Sequence, residues 1–212
     1  MRMIRVFGFV LLVALWGNVA SGPAAAQAGL KEASTFVQSL GSRAIEIITD
    51  KALTPADREA RFHAMFVDSF DVPTIGRFVL GRHWRTATDP QRAEFLKLFE
   101  NMIVKIYTNR FSDYKGEQFA VSNSRNTGDS VMVTVNITRP SGGEPVRVDW
   151  RVVKVDGAYK VVDVVVEGVS MSLTQQQDFS AVIQRNGGQI EPLLAVMRER
   201  IEKAGQAAST HS

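Results

Sequence analysis

Between Phe119 and Val166 the apolar residues of this chain recur at every second position, and on both sides of that stretch they recur at helical spacing. This switch of period restricts the fold more than any short motif does. Successive strand residues point to opposite faces, whereas a helix brings every third or fourth residue onto one face. Val131, Val133, Val135 and Ile137 alternate with Met132, Thr134 and Asn136, and Val146, Val148, Trp150 and Val152 alternate with Arg147, Asp149 and Arg151. Each run therefore has one apolar face and one mixed face. Asp156-Gly157 has the composition of a tight hairpin turn leading into Tyr159–Val166, and Ser141-Gly142-Gly143 marks the reversal before it. Val161, Val162, Val164, Val165 and Val166 fall on both parities, which predicts a last strand buried on both faces. The expected result is a meander of about four antiparallel strands.

The flanks read as helices. Phe36, Val37, Leu40, Ala44, Ile47 and Ile48 predict a helix over Leu30–Leu53, and Thr54-Pro55 starts another with Phe62, Met65, Phe66 and Phe70 on its apolar side. Asp71 caps a short helix, Val72–Leu80, that Gly81 ends. Thr88-Asp89-Pro90 opens what reads as the longest helix, to about Phe111, carrying Phe95, Leu96, Leu98, Phe99, Met102, Ile103, Ile106, Tyr107 and Phe111. These residues span a wide arc, so the helix is either covered on two sides or faces a cavity as well as a core. After the strands, Thr174 and Gln177 suggest a capping box for a helix with Phe179, Val182 and Ile183, closed by Asn186-Gly187-Gly188. Ile190, Leu193, Leu194, Met197 and Ile201 mark a final helix, and residues 205–212 are expected to be a disordered polar tail. Helices segregated against an antiparallel sheet define an α+β fold, here one domain over residues 27–204.

Residues 1–26 read as a signal peptide. Arg2 and Arg5 precede a short apolar run, Val6–Trp16, and Ala24-Ala25-Ala26 supplies the small residues for cleavage before Gln27. Without the leader, 23 basic residues face 22 acidic ones, a net charge of +1 with neutral histidines. So balanced a surface argues against a sequence-independent nucleic-acid binder. The chain has no cysteine, so an exported form holds its core without disulfides.

The inventory for catalysis is thin. His63, His83 and His211 are the only histidines, and no metal-ligand spacing, nucleophile elbow or phosphate loop occurs. Neither a catalytic residue nor a metal or cofactor is predicted. His63 reads as a surface or half-buried residue. Asp163, among valines, is either a buried carboxylate serving as a general base or a side chain that faces water or pairs with Arg147 or Arg151. The segment Arg77-Phe78-Val79-Leu80-Gly81-Arg82-His83-Trp84-Arg85 mixes large apolar and cationic side chains. It suits a lipid boundary, where aromatics meet acyl chains and arginines meet phosphate, and equally a solvated loop tucked into the core by Phe78 and Trp84.

Those residues also carry a resemblance. Phe70-Asp71, Arg77–Thr88 and Gln91-Arg92-Ala93-Glu94-Phe95, with a second block Asp163-Val164-Val165-Val166-Glu167-Gly168-Val169-Ser170-Met171 followed by Thr174, Phe179 and Gly187-Gly188, resemble the MlaC family. The family is also called the toluene-tolerance or ABC-transporter auxiliary family and includes hopanoid-associated HpnM proteins. The resemblance covers roughly residues 30–204, with His83 where tyrosine is more usual and Gln176 where arginine is common. It implies a soluble periplasmic shuttle that holds glycerophospholipid tails in a deep apolar pocket. Its implied partners are the MlaD-type subunit of an inner-membrane ABC transporter and an MlaA-type outer-membrane lipoprotein. The HpnM branch makes a hopanoid the alternative cargo.

On this reading an apolar pocket lies between the long helix at 88–111 and the concave face of the sheet. Its expected lining is Phe78, Val79, Trp84, Phe99, Met102, Ile103, Ile106, Val133, Val135, Trp150, Val152, Val164, Val166 and Met171. Arg77, Arg82 and Arg85 are the candidates for the headgroup or for partner docking. A bulky polar residue at Ile103 or Val135 is expected to reduce bound lipid and spare the fold. The rival readings are an enzyme on a cone-shaped α+β scaffold, with Asp163 or His63 buried in a cleft, and a structural adaptor with a filled core.

Overall fold

The computed structural model describes residues 23–210. The proposed leader falls outside this range except for its last four residues, which begin the first helix. Among the described residues are six α-helices and five strands in the order α1 (Pro23–Thr49), α2 (Pro55–Ser69), α3 (Val72–Leu80), α4 (Asp89–Thr108), β1 (Gln118–Thr127), β2 (Ser130–Thr138), β3 (Val146–Val155), β4 (Ala158–Val166), β5 (Val169–Ser170), α5 (Met171–Arg185) and α6 (Glu191–Thr210). Short 3-10 turns at Gly81–Arg85 and Phe111–Asp113 follow α3 and α4. The fold class is α+β, as expected.

Capping chemistry sets most helix starts. Thr54 accepts from the Asp57 amide, Asp71 accepts from that of Thr74, and Thr88 and Gln91 form a reciprocal capping box. Gly81 ends α3 with φ +58°, a conformation that disfavours side chains. Four boundaries differ from the sequence reading. α1 stops at Thr49 because the Arg58 guanidinium takes the carbonyls of Ile47, Asp50 and Leu53, holding the chain in a turn. At 27 residues α1, not α4, is the longest helix. α4 ends at Thr108, whose hydroxyl bonds back to the Val104 carbonyl, and Phe111 sits in a separate turn. α5 begins at Met171, so the capping box at Thr174 and Gln177 does not form; Ser170 is the cap, accepting from the Leu173 amide, and Thr174 donates to the Ser170 carbonyl. At the C terminus α6 runs to Thr210, past Gly205, where the sequence reading placed the start of the polar tail.

The sheet is antiparallel in sequence order, β1-β2-β3-β4-β5. Asp156 and Gly157, at φ +49° and +85°, form the expected tight turn. A second turn of this kind at Glu167-Gly168 makes the two-residue β5, the strand beyond the expected four. Paired residues across the ladders point to one face, so the register assembles apolar rows: Val121–Val135–Val148–Val166, Ser124–Val133–Trp150–Val164, and Asn126–Val131–Val152–Val161. In β4 only Val161 is buried, and Val162, Val164, Val165 and Val166 are half-buried. Burial on both faces is therefore not found in β4, whose valines other than Val161 are half-buried on either face. At the β1 edge, the Gln38 side chain of α1 accepts from the Val121 amide and donates to the Phe119 carbonyl, beside a register shift between Val121 and Asn123.

The interior divides in two. A helical cluster gathers Phe66, Ile75, Val79, Leu80, Phe95, Phe99, Met102, Phe179, Ile183, Leu193, Leu194 and Met197 from α2 to α6. A sheet cluster gathers Ala33, Val37, Leu40 and Met65 with Val133, Val135, Val152 and Val161. Phe62 and Phe70 pack against both clusters, so the two interiors meet along these rings.

Candidate functional site

The wide apolar arc of α4 is resolved by helices. α4 packs on α6, α2 and α3, while α1, α2, α3 and α5 are the helices that meet the sheet. Phe95 stacks on Phe99 at 6.0 Å, and Phe179 meets both rings edge-on at 5.7 and 6.5 Å. The arc is thus a core covered on several sides by helices, and the lining expected for a pocket between α4 and the sheet is divided between the two clusters. Val79, Phe99 and Met102 are buried in the helical cluster, with Trp84, Ile103 and Ile106 against it. Val133, Val135 and Val152 are buried in the sheet cluster, with Trp150 and Val164 against it. Val166 and Met171 are half-buried, and Phe78 is 47% exposed.

What the fold offers instead is an incompletely covered inner sheet face. α1 and α2 bury Val133, Val135, Val152 and Val161 completely. On the same face Phe119, Val121, Ile137, Val146, Trp150, Val164 and Val166 remain half-buried, leaving an apolar surface continuous with the core. The junction rings border it: Phe70 lies 4.6 Å from Phe66 and 6.2 Å from Trp150, and Phe119 is 6.0 Å from Trp150 on the other side. Phe62, Phe70, Phe119, Val121, Ile137 and Val146 are the residues of this candidate site that the sequence reading left out. The strand alternation had already put Ile137 and Val146 on the correct face. Two surface hollows are found: one of about 400 Å³ between α1 and β1, reaching the edge of this face at Val121 and otherwise lined by Ser34, Thr35, Gln38, Ser39 and Ser42, and one of about 290 Å³ around Thr86, Gln91 and Gly188–Glu191. Neither includes an expected lining residue.

Beside α5 the surface is cationic and apolar together. Arg77, Arg82 and Arg85 are exposed, and none forms an ion pair among those found in the described residues. Arg82 donates to the ring of His83 at 3.4 Å. Burial, reinforced by the Arg82 charge, pulls the His83 pKa below its usual value. Phe78 stands exposed beside them, and Gln176 of α5 donates to its carbonyl, tying α3 to α5.

The residues considered for catalysis have structural work. Asp163 accepts from the Ser170 hydroxyl at 2.7 Å and from the amides of Val164 and Ser172 at 2.9 and 3.1 Å. One carboxylate thus fastens β5 and the start of α5 to β4. Asp163→Ala is expected to cost about 1.5–3 kcal/mol, the range for hydrogen bonds to a charged group, seen as a lower urea midpoint and faster amide exchange at the start of α5. His63 bonds Glu100, and Lys105 bonds Glu59 at 2.6 Å, so both pairs join α2 to α4. No group of three metal-ligating side chains occurs among the described residues.

Comparison with known proteins adds three findings. The sequence model of the family described as "MlaC protein" matches residues 38–199. Over 128 residues the chain is 27% identical to the intermembrane phospholipid transport system binding protein MlaC of Haemophilus influenzae, covering 58% of this chain and 59% of that protein. It is 24% identical over 128 residues to the toluene tolerance protein ttg2D of Pseudomonas putida, covering 60% of this chain and 59% of that protein. The match thus spans about three fifths of these curated relatives. Among solved structures, a phospholipid-binding protein of Ralstonia solanacearum in complex with a phospholipid superposes with a TM-score of 0.71 at 22% identity, covering 82% of this chain and 98% of that one. At that identity the likeness establishes a shared fold.

Proposed function

This chain belongs to the MlaC family, and we propose that it is a periplasmic carrier of glycerophospholipid that shields acyl chains against the inner face of its sheet. The observation that carries the reading is the half-covered apolar face bounded by Phe70 and Trp150, at the junction of two separate cores. A single continuous core would have to break to admit hydrocarbon. Two cores meeting along Phe62 and Phe70 can part there, with α1 keeping its hold on β1 and β2 and α4 its hold on α6.

The energetics favour this use. A diacyl lipid exposes about thirty methylenes, and burial is worth about 0.8 kcal/mol for each, on the order of 20 kcal/mol in gross terms. That gain offsets both the separation of the junction rings and the loss of their contacts, so apolar area does the binding and no catalytic constellation is needed. Release then requires a partner that offers the tails another apolar path. Arg77, Arg82 and Arg85 beside exposed Phe78 suit either a phosphate headgroup at the mouth or docking to an MlaD-type transporter subunit and an MlaA-type lipoprotein.

The test is to purify the mature protein from the periplasm, denature it and analyse the organic extract by mass spectrometry. A diacyl glycerophospholipid at close to one per protein is the expected result. A hopanoid in its place would assign the cargo to the HpnM-like alternative, and an extract free of lipid would refute the carrier.

A further inference from the structure

We propose that the indole N–H of Trp150 donates a hydrogen bond to an acyl ester carbonyl of the bound lipid and so sets the depth at which the tails lie; this rests on the carrier reading above. Trp150 Nε1 is buried and has no hydrogen-bond partner. Its cross-strand neighbours on the inner face, Val133 and Val164, offer no acceptor, and its nearest rings are Phe70 and Phe119. Buried donors without partners are rare in folded proteins. Two other buried side-chain atoms share this condition, Ser69 Oγ and Gln175 Nε2, but each has a way out. The Ser69 hydroxyl can rotate toward the Met65 carbonyl one turn earlier in α2, and the Gln175 amide can exchange its oxygen and nitrogen by a half-turn. An indole N–H is donor only and fixed in the plane of a ring that packing holds in place.

The position of Trp150 narrows what the acceptor is. It lies on the border between the fully buried and the half-buried part of the inner face, beside Phe70, where the two cores meet. Below its headgroup a diacyl phospholipid carries only ester oxygens, which accept and do not donate. They fit a lone donor in apolar surroundings. A phosphate does not, because a desolvated anion needs a cation beside it. Hydrocarbon alone leaves the N–H unpaired.

The experiment loads the mature protein with a diacyl phosphatidylethanolamine and its dialkyl ether analogue in equal amounts and measures the bound ratio by native mass spectrometry. The wild type is expected to favour the ester lipid by about three- to tenfold, the worth of one net hydrogen bond, and Trp150→Phe, which keeps a ring in place, to bind both about equally. A second measurement needs no variant: the Trp150 indole proton resonance of nitrogen-15-labelled protein is expected to move downfield with the ester lipid and much less with the ether. Trp150→Phe retaining the full ester preference, or an indole resonance indifferent to the ester, would overturn the assignment and leave the carrier intact. Failure of the wild type to bind either lipid would overturn both.

Discussion

Phe95→Ala is expected to lower the free energy of unfolding by about 3–5 kcal/mol, the range for truncating a large buried aromatic. Phe95 has no exposed surface and sits where α4, through Phe99, meets α5, through Phe179. In a chain of this size the loss corresponds to a drop in Tm of about 6–20 °C, read by circular dichroism. The two-part interior adds a sharper expectation. Amides of α4, α5 and α6 should lose exchange protection before those of β2 and β3, whose packing partners come from α1 and α2. Uniform loss across both halves would mean that Phe62 and Phe70 couple them into a single cooperative unit.

A carboxylate on the half-open face should act on cargo more than on fold. Val164→Glu places a charge against the proposed path of the tails, where hydrocarbon cannot solvate it, and lipid retained through purification should fall at least about tenfold. Val164 is half-buried, so the longer side chain can turn its carboxylate toward water and the thermal transition should move little. The same change at Val135, which is fully buried under α1 and α2, should instead unfold much of the protein. This contrast revises the expectation from sequence that a polar side chain at Val135 would reduce lipid and leave the fold intact. Measuring lipid content and Tm on both variants separates the two positions, and a Val164→Glu protein that keeps its lipid would remove this face from the binding site.

Local chemistry was legible in the sequence to good resolution. Thr54, Asp71 and Thr88 cap helices where their spacing suggested, Gly81 ends α3, and Asp156-Gly157 turns the hairpin. Alternation in β2 and β3 correctly sorted the inner face from the outer. Three things were not legible, each for a physical reason. The start of α5 depends on Asp163, seven residues before Ser170, and a cap held by a neighbouring strand leaves no local pattern. The valines of β4 look doubly buried because valine suits any strand, whereas all but Val161 are only half-buried. The width of the α4 arc left two readings open, cover on two sides or a cavity beside a core, because periodicity reports how much of a helix is apolar and not what meets it. Its cover is helical, and this moved the candidate site from α4 to the Phe70–Trp150 junction.

The Gln38 contact with β1 has a consequence for life at high concentration. An open sheet ends in rows of hydrogen-bonding groups that invite a strand from another molecule, and a protein that also shows apolar surface is doubly exposed to polymerisation. Here a glutamine amide borrowed from α1 fills the vacant bonding positions of Phe119 and Val121, and the irregular pairing next to it bends the remaining ribbon away from a straight template. The opposite border is blunted by brevity, since β5 is two residues long. The half-buried apolar face of this sheet therefore lies between two rims that each offer an incoming strand fewer free positions.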